Sequence, residues 1–164
     1  MSGRKLAAGI LPNFNGKILM GLEDRNGSFK WMEFGGGVEP GETPEQAAVR
    51  EFNEETANTF QLTLDDVKKA KHTIVYYNPK SNVEYTMFCL DLDYPFVDQG
   101  TFERNAIGKD HVEKIKWKYF DASAVINNVN GVLPDTPYEI YSTCQIRLKM
   151  LRDKLTGLPS QLDR

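Results

Sequence analysis

The order of strand-like and helix-like segments in this 164-residue chain predicts an α/β (α+β) fold, in which a mixed β-sheet lies between helices. Short apolar segments bounded by turn residues recur along the chain and are typical of strands. Two longer segments have the periodicity of helices, one starting near residue 43 and one at residues 137–155. Hydrophobic residues make up 40% of the sequence, which is ordinary for a folded protein with a single core. We therefore expect one domain spanning residues 1–164.

Six segments are predicted to be strands, because they combine apolar residues with turn signals at their ends. Asn15-Gly16 is the clearest of these signals and predicts a hairpin between the first two segments. Gly35-Gly36-Gly37 is expected to break the chain after the third, since glycine weakens the interior of a strand or a helix. Residues 94–110 show no periodicity and are predicted to form a long loop. The six predicted strands are residues 5–11, 17–22, 29–34, 72–77, 83–93 and 112–120.

The helix near residue 43 has a well-marked start. Thr43 is a candidate N-cap, Pro44 suits the first helical position, and Gln46 completes a capping box. We expect this helix to end at about Thr56. A short helix is predicted for residues 64–70 and a long one for residues 137–155. The buried face of the long helix would carry the apolar residues spaced at helical intervals, Ile140, Cys144, Leu148 and Leu151.

The composition bears on the partners and the location of the protein. A formal net charge of −3 argues against non-specific binding of nucleic acid, which needs a basic surface. No apolar run is long enough for a membrane span, and the N-terminal segment does not have the pattern of a signal peptide. Cys89 and Cys144 are too few for a disulfide framework and are expected to be reduced packing residues. We therefore predict a cytoplasmic protein without a membrane partner.

Three carboxylates of the helix near residue 43 are expected to share one face. Glu51, Glu54 and Glu55 are related by spacings of three and four, so they repel one another. A divalent cation would relieve that repulsion, and oxygen ligands favour Mg²⁺ or Mn²⁺. Ala47 lies one turn earlier on the same face, where its small side chain would let a ligand approach. An acidic helix face that is simply solvated is the alternative.

The segment from Gly36 to Asn58 resembles the Nudix box, the signature of a family of hydrolases. The box reads Gly-x5-Glu-x7-Arg-Glu-U-x-Glu-Glu-x-Gly-U, where U is an apolar residue. The resemblance implies an α/β/α sandwich and a metal-dependent pyrophosphohydrolase. Such an enzyme cuts a phosphoanhydride bond in a nucleoside diphosphate linked to another moiety, by attack of water on phosphorus. The matching residues are Gly36, Glu42, Arg50, Glu51, Phe52, Glu54 and Glu55.

The resemblance also assigns a metal site to single residues. Glu54 and Glu55 match the main metal ligands of the family. Glu51 matches a residue that binds metal directly or through water and that acts as a base in some members. A backbone carbonyl at Gly35 or Gly36 would complete the ligand set. The cofactor implied is Mg²⁺ or Mn²⁺.

Other positions of the box concern its support and its departures from the family pattern. Arg50 and Glu42 match a pair that holds the preceding loop against the helix, with an exposed ion pair of little value as the alternative. Ala57 and Asn58 stand where the family has glycine and an apolar residue. Since Asn58 tolerates the left-handed conformation, we expect the helix end to shift by one residue. Phe34 stands where proline is usual, and we expect it to alter the loop or to contact the substrate.

Residues outside the box decide the substrate. Tyr76 and Tyr77 lie about where dinucleoside polyphosphate hydrolases of the family carry a tyrosine that stacks on a base. Ordinary strand residues, one packed and one exposed, are the alternative. No proline has the spacing typical of ADP-ribose hydrolases. The run from Gly35 to Pro40 is similar to diphosphoinositol polyphosphate hydrolases, although the basic clusters that such a substrate needs are not evident. Hydrolysis of messenger-RNA caps stays open, as does a catalytically silent Nudix module that binds a nucleotide or a protein.

We expect one further carboxylate from outside the box, as a metal ligand or general base. Two or three metal ions around a pyrophosphate would need more oxygen ligands than one helix supplies. Glu113 is favoured over Glu103 and Asp110, because it would stand at the start of a strand, four residues before Trp117, in an arrangement that resembles the family's. His111 beside it is expected to orient water or to lie on the surface.

Overall fold

Seven strands form one mixed sheet in the computed structural model of the protein, which describes residues 3–110, 112–128 and 130–157. The strands are β1 (Lys5–Phe14), β2 (Lys17–Arg25), β3 (Ser28–Met32), β4 (Phe34–Gly37), β5 (His72–Asn78), β6 (Val83–Asp91) and β7 (Lys116–Asp121). The helices are α1 (Pro44–Glu55), α2 (Leu64–Lys68), α3 (Gln99–Ala106), α4 (Ala122–Ile126) and α5 (Ser142–Leu155). The predicted fold class, a mixed sheet with helices packed on it, is confirmed.

The central strand β1 connects two groups of strands. It pairs in parallel with β6 along most of its length, and β6 pairs with β5 in the antiparallel sense. Beside its other edge β1 meets β2 near the hairpin turn and β4 nearer its own start. Strand β2 pairs with β7 along its first half and with β3 along its second half, both in the antiparallel sense. The sheet therefore divides beyond the β1–β2 hairpin, and β4 lies at the division.

The two faces of the sheet carry separate apolar cores. Helix α1 buries Ala47, Ala48 and Phe52 against one face, together with Phe34 of β4. Helix α5 packs against the opposite face. Its buried face carries three of the four residues expected from the helical spacing, Cys144, Leu148 and Leu151. Cys89 and Cys144 are buried and unbonded, as the sequence predicts.

Helix α1 begins and ends where the sequence predicts, with Thr56 as its C-cap, but its end is not shifted relative to the family pattern. The Thr43 hydroxyl accepts from the Gln46 N–H and the Gln46 side chain accepts from the Thr43 N–H, which completes the capping box. The helix ends at Glu55, and Ala57 itself takes a left-handed φ of 53°, followed by Asn58 at 55°. The expected shift of the helix end is therefore wrong. Because Ala57 has a Cβ, the left-handed conformation costs it about 1 kcal/mol of conformational free energy that glycine would not lose.

The glycine run is a strand and not a break. Strand β4 pairs with β1 from Phe34 opposite Ile10 to Gly37 opposite Ala7. Gly9 of β1 faces Gly35 of β4, and both lack the side chain that would keep the backbones and the Tyr85 hydroxyl apart. Glycine was expected to break the chain because it weakens an isolated strand, yet here it permits an unusually close approach.

Three other boundaries differ from the sequence prediction. The segment expected to be a long loop contains α3, whose N-cap Asp98 accepts from the Thr101 N–H. The strand expected over residues 112–120 starts only at Lys116, after a segment in which Ile115 bonds to Leu22. Residues before Ser142 do not join the last helix, because the chain there bridges to β3 instead.

No helix in the described ranges is long and apolar enough to cross a membrane. The location in the cytoplasm stays a prediction.

The crowding at Gly9 predicts a specific loss of stability. A Cβ at Gly9 would lie 2.0 Å from the Tyr85 hydroxyl oxygen and 2.5 Å from the Phe34 carbonyl oxygen, whereas a Cβ at Gly37 would meet nothing within 4 Å. Gly9→Ala should therefore lower the free energy of unfolding by about 1–3 kcal/mol, as overpacking does. Gly37→Ala is the matched control on the neighbouring strand and should change it little. Equal denaturation midpoints for the two variants would contradict the close approach.

Candidate functional site

The three carboxylates of α1 do not all point the same way. The Glu51 carboxylate lies against β4, where a Cβ on Gly36 would stand 2.5 Å from its Oε1 atom. Glu54 lies further out, with 35% of its side chain exposed against 16% for Glu51. Glu55 turns inward and is buried. Only Glu51 and Glu54 therefore face the surface beside the glycine strand.

Arg50 gathers four carboxylates around one guanidinium group. It donates two hydrogen bonds of 2.9 Å to Glu42 and one of 2.9 Å to Glu51. The carboxylates of Glu54 and Glu39 lie 3.6 and 3.8 Å from its Nη1 atom. This cluster carries more negative than positive charge, which is a suitable environment for an added cation.

Arg50 also fixes the backbone and the protonation of its partners. Its Nη2 atom donates to the Gly37 carbonyl at 2.9 Å, so it ties α1 to the end of β4. Hydrogen bonds from Arg50 and from the Glu39 N–H lower the pKa of Glu42 to about 2. Burial raises the pKa of Glu51, and Glu54 and Glu113 add to the rise against the opposing effect of Arg50. The structure thus brings Glu42 and Arg50 together as the resemblance implies.

Glu55 is held inside the protein by a lysine. Its carboxylate accepts from the Gly35 N–H, with oxygens at 3.2 and 3.3 Å, and lies 3.7 Å from Lys114 Nζ. The same ammonium group lies 2.8 Å from Glu23 and donates to the Glu33 carbonyl at 3.2 Å. Burial raises the pKa of Glu55 well above its ordinary value, and Lys114 opposes that rise. The fully buried Lys114 ammonium thus has two oxygens within hydrogen-bonding distance, from Glu23 and Glu33, and the Glu55 carboxylate as an ion-pair neighbour.

A second buried ion pair adjoins this lysine. Arg147 of α5 donates to a carboxylate oxygen of Glu33, the residue between β3 and β4. Although burial disfavours the charged form of Glu33, the Arg147 guanidinium lowers its pKa. In the described part of the chain, every buried charged side chain belongs to these two linked groups. They are three acids and two bases, Glu23, Glu33, Glu55, Lys114 and Arg147.

Two expectations about the surface of the site are corrected. Ala47 is fully buried in the core between α1 and the sheet, so no ligand approaches over it. Phe34 is also fully buried, and its ring packs edge-on against Phe52 at 5.4 Å between centroids. The position usually held by proline therefore contributes to the core, and the Phe34 ring does not reach a surface that a substrate could contact.

The candidate acids outside the box lie on different segments of the chain. Glu113 is exposed and stands before the last strand, not at its start as expected. Its charge contributes, as the smallest of the named causes, to the raised pKa of Glu51. Glu103 lies on α3 and bonds to Gln99, while Asp110 is exposed beyond that helix. His111 lies outside the described residues.

A cleft opens on the face of the sheet opposite α1. Its volume is about 270 Å³, and Tyr76 and Tyr85, which are paired across β5 and β6, stand in its wall. Arg147 stacks on the Tyr85 ring at 3.8 Å. Tyr77 instead carries Arg4 over its ring on the other side of the strand. Of the two neighbouring tyrosines, Tyr76 thus borders this cleft.

The sequence analysis missed the buried charged residues. Lys114 stands among charged residues that are typical of a solvated strand edge, and nothing in its spacing marks it as buried. Gly21 offered a signal, because a glycine inside a strand indicates close approach of another group. A Cβ there would lie 2.5 Å from the Lys114 side chain, so the glycine makes room for the lysine.

In the ranges that the structure describes, no three acidic, histidine or cysteine side chains are grouped closely enough to hold a metal ion together. The reason is visible in the orientation of the carboxylates, since Glu51 bonds to Arg50 and Glu55 turns to Gly35. The donor set still fits a hard cation at the surface. Glu51 and Glu54 offer carboxylate oxygens there and share a single guanidinium.

Comparison with known proteins identifies the family. The model of the NUDIX domain matches residues 3–136. The chain therefore belongs to the Nudix family, and the predicted Nudix hydrolase class is confirmed. A curated relative from Danio rerio, named oxidized purine nucleoside triphosphate hydrolase, is 44% identical over 66 residues. That alignment covers 40% of this chain and 40% of the relative.

Solved structures share the fold at low sequence identity. A NUDIX hydrolase from Nitrosomonas europaea is 19% identical with a TM-score of 0.61, covering 98% of this chain and 77% of that one. Another match is a bifunctional NMN adenylyltransferase/ADP ribose pyrophosphatase from Francisella tularensis, complexed with AMP and a Mn ion. It is 20% identical with a TM-score of 0.64, and the alignment covers 93% of this chain and 42% of that one. A C. elegans Ap4A hydrolase is 20% identical with a TM-score of 0.58, and the alignment covers 94% of this chain and 99% of that one.

Arg50→Ala is expected to lower stability and activity together, because it releases Glu42, Glu51 and the Gly37 carbonyl at once. The Glu42 contribution has a defined pH window, since its pKa falls from an ordinary 4.5 to about 2 on folding. That contribution is complete above pH 4.5 and is lost as the pH falls towards 2. The difference in melting temperature between the parent and Arg50→Ala should therefore shrink in acid.

Arg104→Ala is the control, because Arg104 is exposed and its side chain bonds, among the described residues, to Thr101 of its own helix. It should leave the melting temperature and the activity unchanged. Loss of activity in Arg50→Ala at an unchanged melting temperature would show instead that Arg50 contacts the substrate.

Proposed function

We propose that the protein hydrolyses a phosphoanhydride bond in a nucleoside diphosphate linked to another moiety, with Mg²⁺ or Mn²⁺ as cofactor. The observation that carries this proposal is the contact of Glu51 with Gly36, beside Glu54 and the single guanidinium of Arg50. It puts surplus carboxylate charge next to the end of β4, where Gly37 has open space in place of a side chain and would let a phosphate approach. The Mn ion named with the Francisella tularensis structure supports the choice of cation.

The residues that would hold the cation are Glu51 and Glu54, with a backbone carbonyl of Gly35 or Gly36. When bound, the cation would neutralise phosphate charge and lower the pKa of a water molecule. Glu55 stays a proposed ligand whose present partners are the Gly35 N–H and Lys114. These partners hold Glu55 behind the other two carboxylates.

Glu113 is the proposed proton acceptor for the attacking water. It is exposed, its charge contributes to the raised pKa of Glu51, and it has no partner among the ion pairs of the described residues. Arg50 would keep the Glu51 carboxylate turned towards β4 throughout the reaction, because it bonds to Glu51 and to the Gly37 carbonyl. Water attacks phosphorus, the anhydride oxygen leaves with one phosphate, and Glu113 takes the proton of the water.

The nucleoside moiety is proposed to occupy the cleft bordered by Tyr76. The cleft lies on one face of the sheet and the α1 carboxylates on the other, with β4 between them. Gly37 of β4 is exposed and pairs with Ala7, which lies in the same register row as Tyr85 and Tyr76. The phosphates would then have to pass the exposed end of β4 to lie beside Glu51. The name of the Danio rerio relative supports a nucleoside triphosphate among the substrates.

A panel of nucleotide pyrophosphates tests this proposal. It would contain nucleoside triphosphates, a dinucleoside polyphosphate, ADP-ribose, a diphosphoinositol polyphosphate and capped RNA, each with Mg²⁺, Mn²⁺ or a chelator. At least one should be hydrolysed only with metal, and reaction in ¹⁸O-labelled water should put the label on a product phosphate. A silent binding module would hydrolyse none of them.

Glu54→Gln should lower the turnover number on a confirmed substrate by more than about a hundredfold, because a bound metal supplies several kcal/mol of transition-state stabilisation. The fold should survive, since the change relieves like-charge repulsion. Glu45→Gln removes an acid from the first turn of the same helix and is the control. If Glu54→Gln works at the parent rate, the metal assignment is wrong.

The same assay tests the position of the extra acid. Glu113→Gln should lower the turnover number by at least about tenfold with less change in the Michaelis constant. A neutral Glu113→Gln beside an inactive Asp110→Asn or Glu103→Gln would move this role to one of those residues.

A further inference from the structure

Of the three α1 carboxylates, that of Glu55 is the buried one. Its side chain is 3% exposed, against 35% for Glu54. The Gly35 N–H donates to it, and the Lys114 ammonium group lies 3.7 Å from it. These partners replace the water that the buried carboxylate has lost. A divalent cation that drew Glu55 towards the surface would therefore have to compensate for the loss of both.

The backbone of Glu55 is fixed separately from its side chain. The indole N–H of Trp117 donates to the Glu55 carbonyl at 2.8 Å in the interior of the protein. Trp117 belongs to β7, which is itself paired with β2. The end of α1 would lose this hydrogen bond if it shifted outwards. The Glu55 carboxylate can therefore approach a surface cation only by rotation of its side chain away from Lys114.

The Lys114 side chain is held in place by other contacts. Its ammonium group lies 2.8 Å from the Glu23 carboxylate and donates to the Glu33 carbonyl at 3.2 Å. Its methylene groups lie over Gly21 of β2, where a Cβ would stand 2.5, 2.7 and 2.8 Å from the Cδ, Cε and Cγ atoms. Lys114 would thus keep two neighbours if the Glu55 carboxylate turned away. The cost of that turn is the loss of one buried ion pair, while the ammonium group stays compensated.

The ammonium group and a divalent cation would attract the same carboxylate from different sides. Lys114 lies on the buried side of Glu55, whereas Glu51 and Glu54 lie towards the surface beside β4. Attraction between unlike charges is stronger in the interior than in water, so the ammonium group lowers the free energy of the inward carboxylate. A cation at the surface gains the third carboxylate only after that attraction is overcome.

We propose that Lys114 is a positioning residue that competes with the divalent cation for the Glu55 carboxylate and thereby weakens binding of the cation. This inference rests on the proposed function, because the cation is the cofactor proposed there. Glu51 and Glu54 are the carboxylates that are available to the cation at once, and Glu55 joins them only by giving up its ion pair. The affinity for the cation is therefore set in part by a residue outside the Nudix box.

Titration of the full chain with Mn²⁺ in the absence of nucleotide tests this competition, because electron paramagnetic resonance distinguishes free from protein-bound Mn²⁺. The variant to compare with the parent is Lys114→Met/Glu23→Gln. It removes one positive and one negative charge from the buried group, so the net charge of that group is unchanged, and it leaves Glu55 without its cation. The dissociation constant for Mn²⁺ should fall about tenfold, which is the lower end of the effect that partners of metal ligands have on metal affinity.

Addition of Glu55→Gln to this double variant should cancel the gain in affinity, because the carboxylate that the lysine released is then gone. Lys17→Met/Asp121→Asn is the matched control. It removes one positive and one negative charge from an ion pair of 2.7 Å whose two side chains are exposed, at the start of β2 and the end of β7. It should bind Mn²⁺ with the affinity of the parent.

A second comparison keeps Lys114 in place and does not depend on the folding of the double variant. In the otherwise unchanged chain, Glu54→Gln should raise the dissociation constant for Mn²⁺ by at least about tenfold. Glu55→Gln should raise it by a clearly smaller factor, because any gain from Glu55 as a ligand is offset by the loss of its ion pair with the lysine.

An unchanged or higher dissociation constant in the folded Lys114→Met/Glu23→Gln variant would overturn the proposal, and so would equal losses of affinity in Glu54→Gln and Glu55→Gln. If either result accompanies metal-dependent hydrolysis of a nucleotide pyrophosphate by the parent, the proposed function stands without this inference. A gain of Mn²⁺ affinity that requires Glu55, in a protein that hydrolyses no member of the panel, would support this proposal and reject the proposed function instead.

Discussion

The buried ammonium group of Lys114 is the interaction on which the arrangement of the site depends. Two oxygens lie within hydrogen-bonding distance of it, one from β2 and one from the residue before β4, and the Glu55 carboxylate at the end of α1 lies at 3.7 Å. Burying a charge costs desolvation free energy unless partners replace the water that it loses. Without Lys114, the inward carboxylates of Glu23 and Glu55 would be buried with no cation beside them. Arg147 extends the same network to α5 through Glu33. A network of buried ion pairs beside β4 therefore connects α1 on one face of the sheet with α5 on the other.

Strand β4 lies between the two parts of the candidate site. Gly36 leaves room for the Glu51 carboxylate on the α1 side, and Gly35 leaves room for the Tyr85 hydroxyl on the α5 side. Alternation along a strand sends neighbouring residues to opposite faces, so consecutive glycines serve two different contacts. A side chain at either position would move one of the two parts relative to the other. The strand thus sets how phosphate-binding and base-binding groups would be placed.

The sequence predicted what depends on local pattern. The capping box of α1 and most strands follow from residue types at fixed spacings, and the grouping of Arg50 with Glu42 follows from the resemblance to the Nudix box. It did not predict what depends on contacts between distant segments. The strand character of Gly35 is created by Gly9 and Tyr85, and the burial of Phe34 by Phe52. Lys114 and Arg147 are charged residues of ordinary appearance, and only their partners on other elements reveal that they are buried.

The free energy of unfolding of Lys114→Met, measured by denaturant titration, tests this account most directly. The variant should lose about 3–5 kcal/mol, because it leaves the carboxylates of Glu23 and Glu55 buried without their cation. Adding Glu23→Gln to Lys114→Met should restore part of the loss, since one of the stranded charges is removed. Lys116→Met, at an exposed position two residues along, should change little. A Lys114→Met protein as stable as the parent would contradict the account, because the buried charges would then not depend on the lysine.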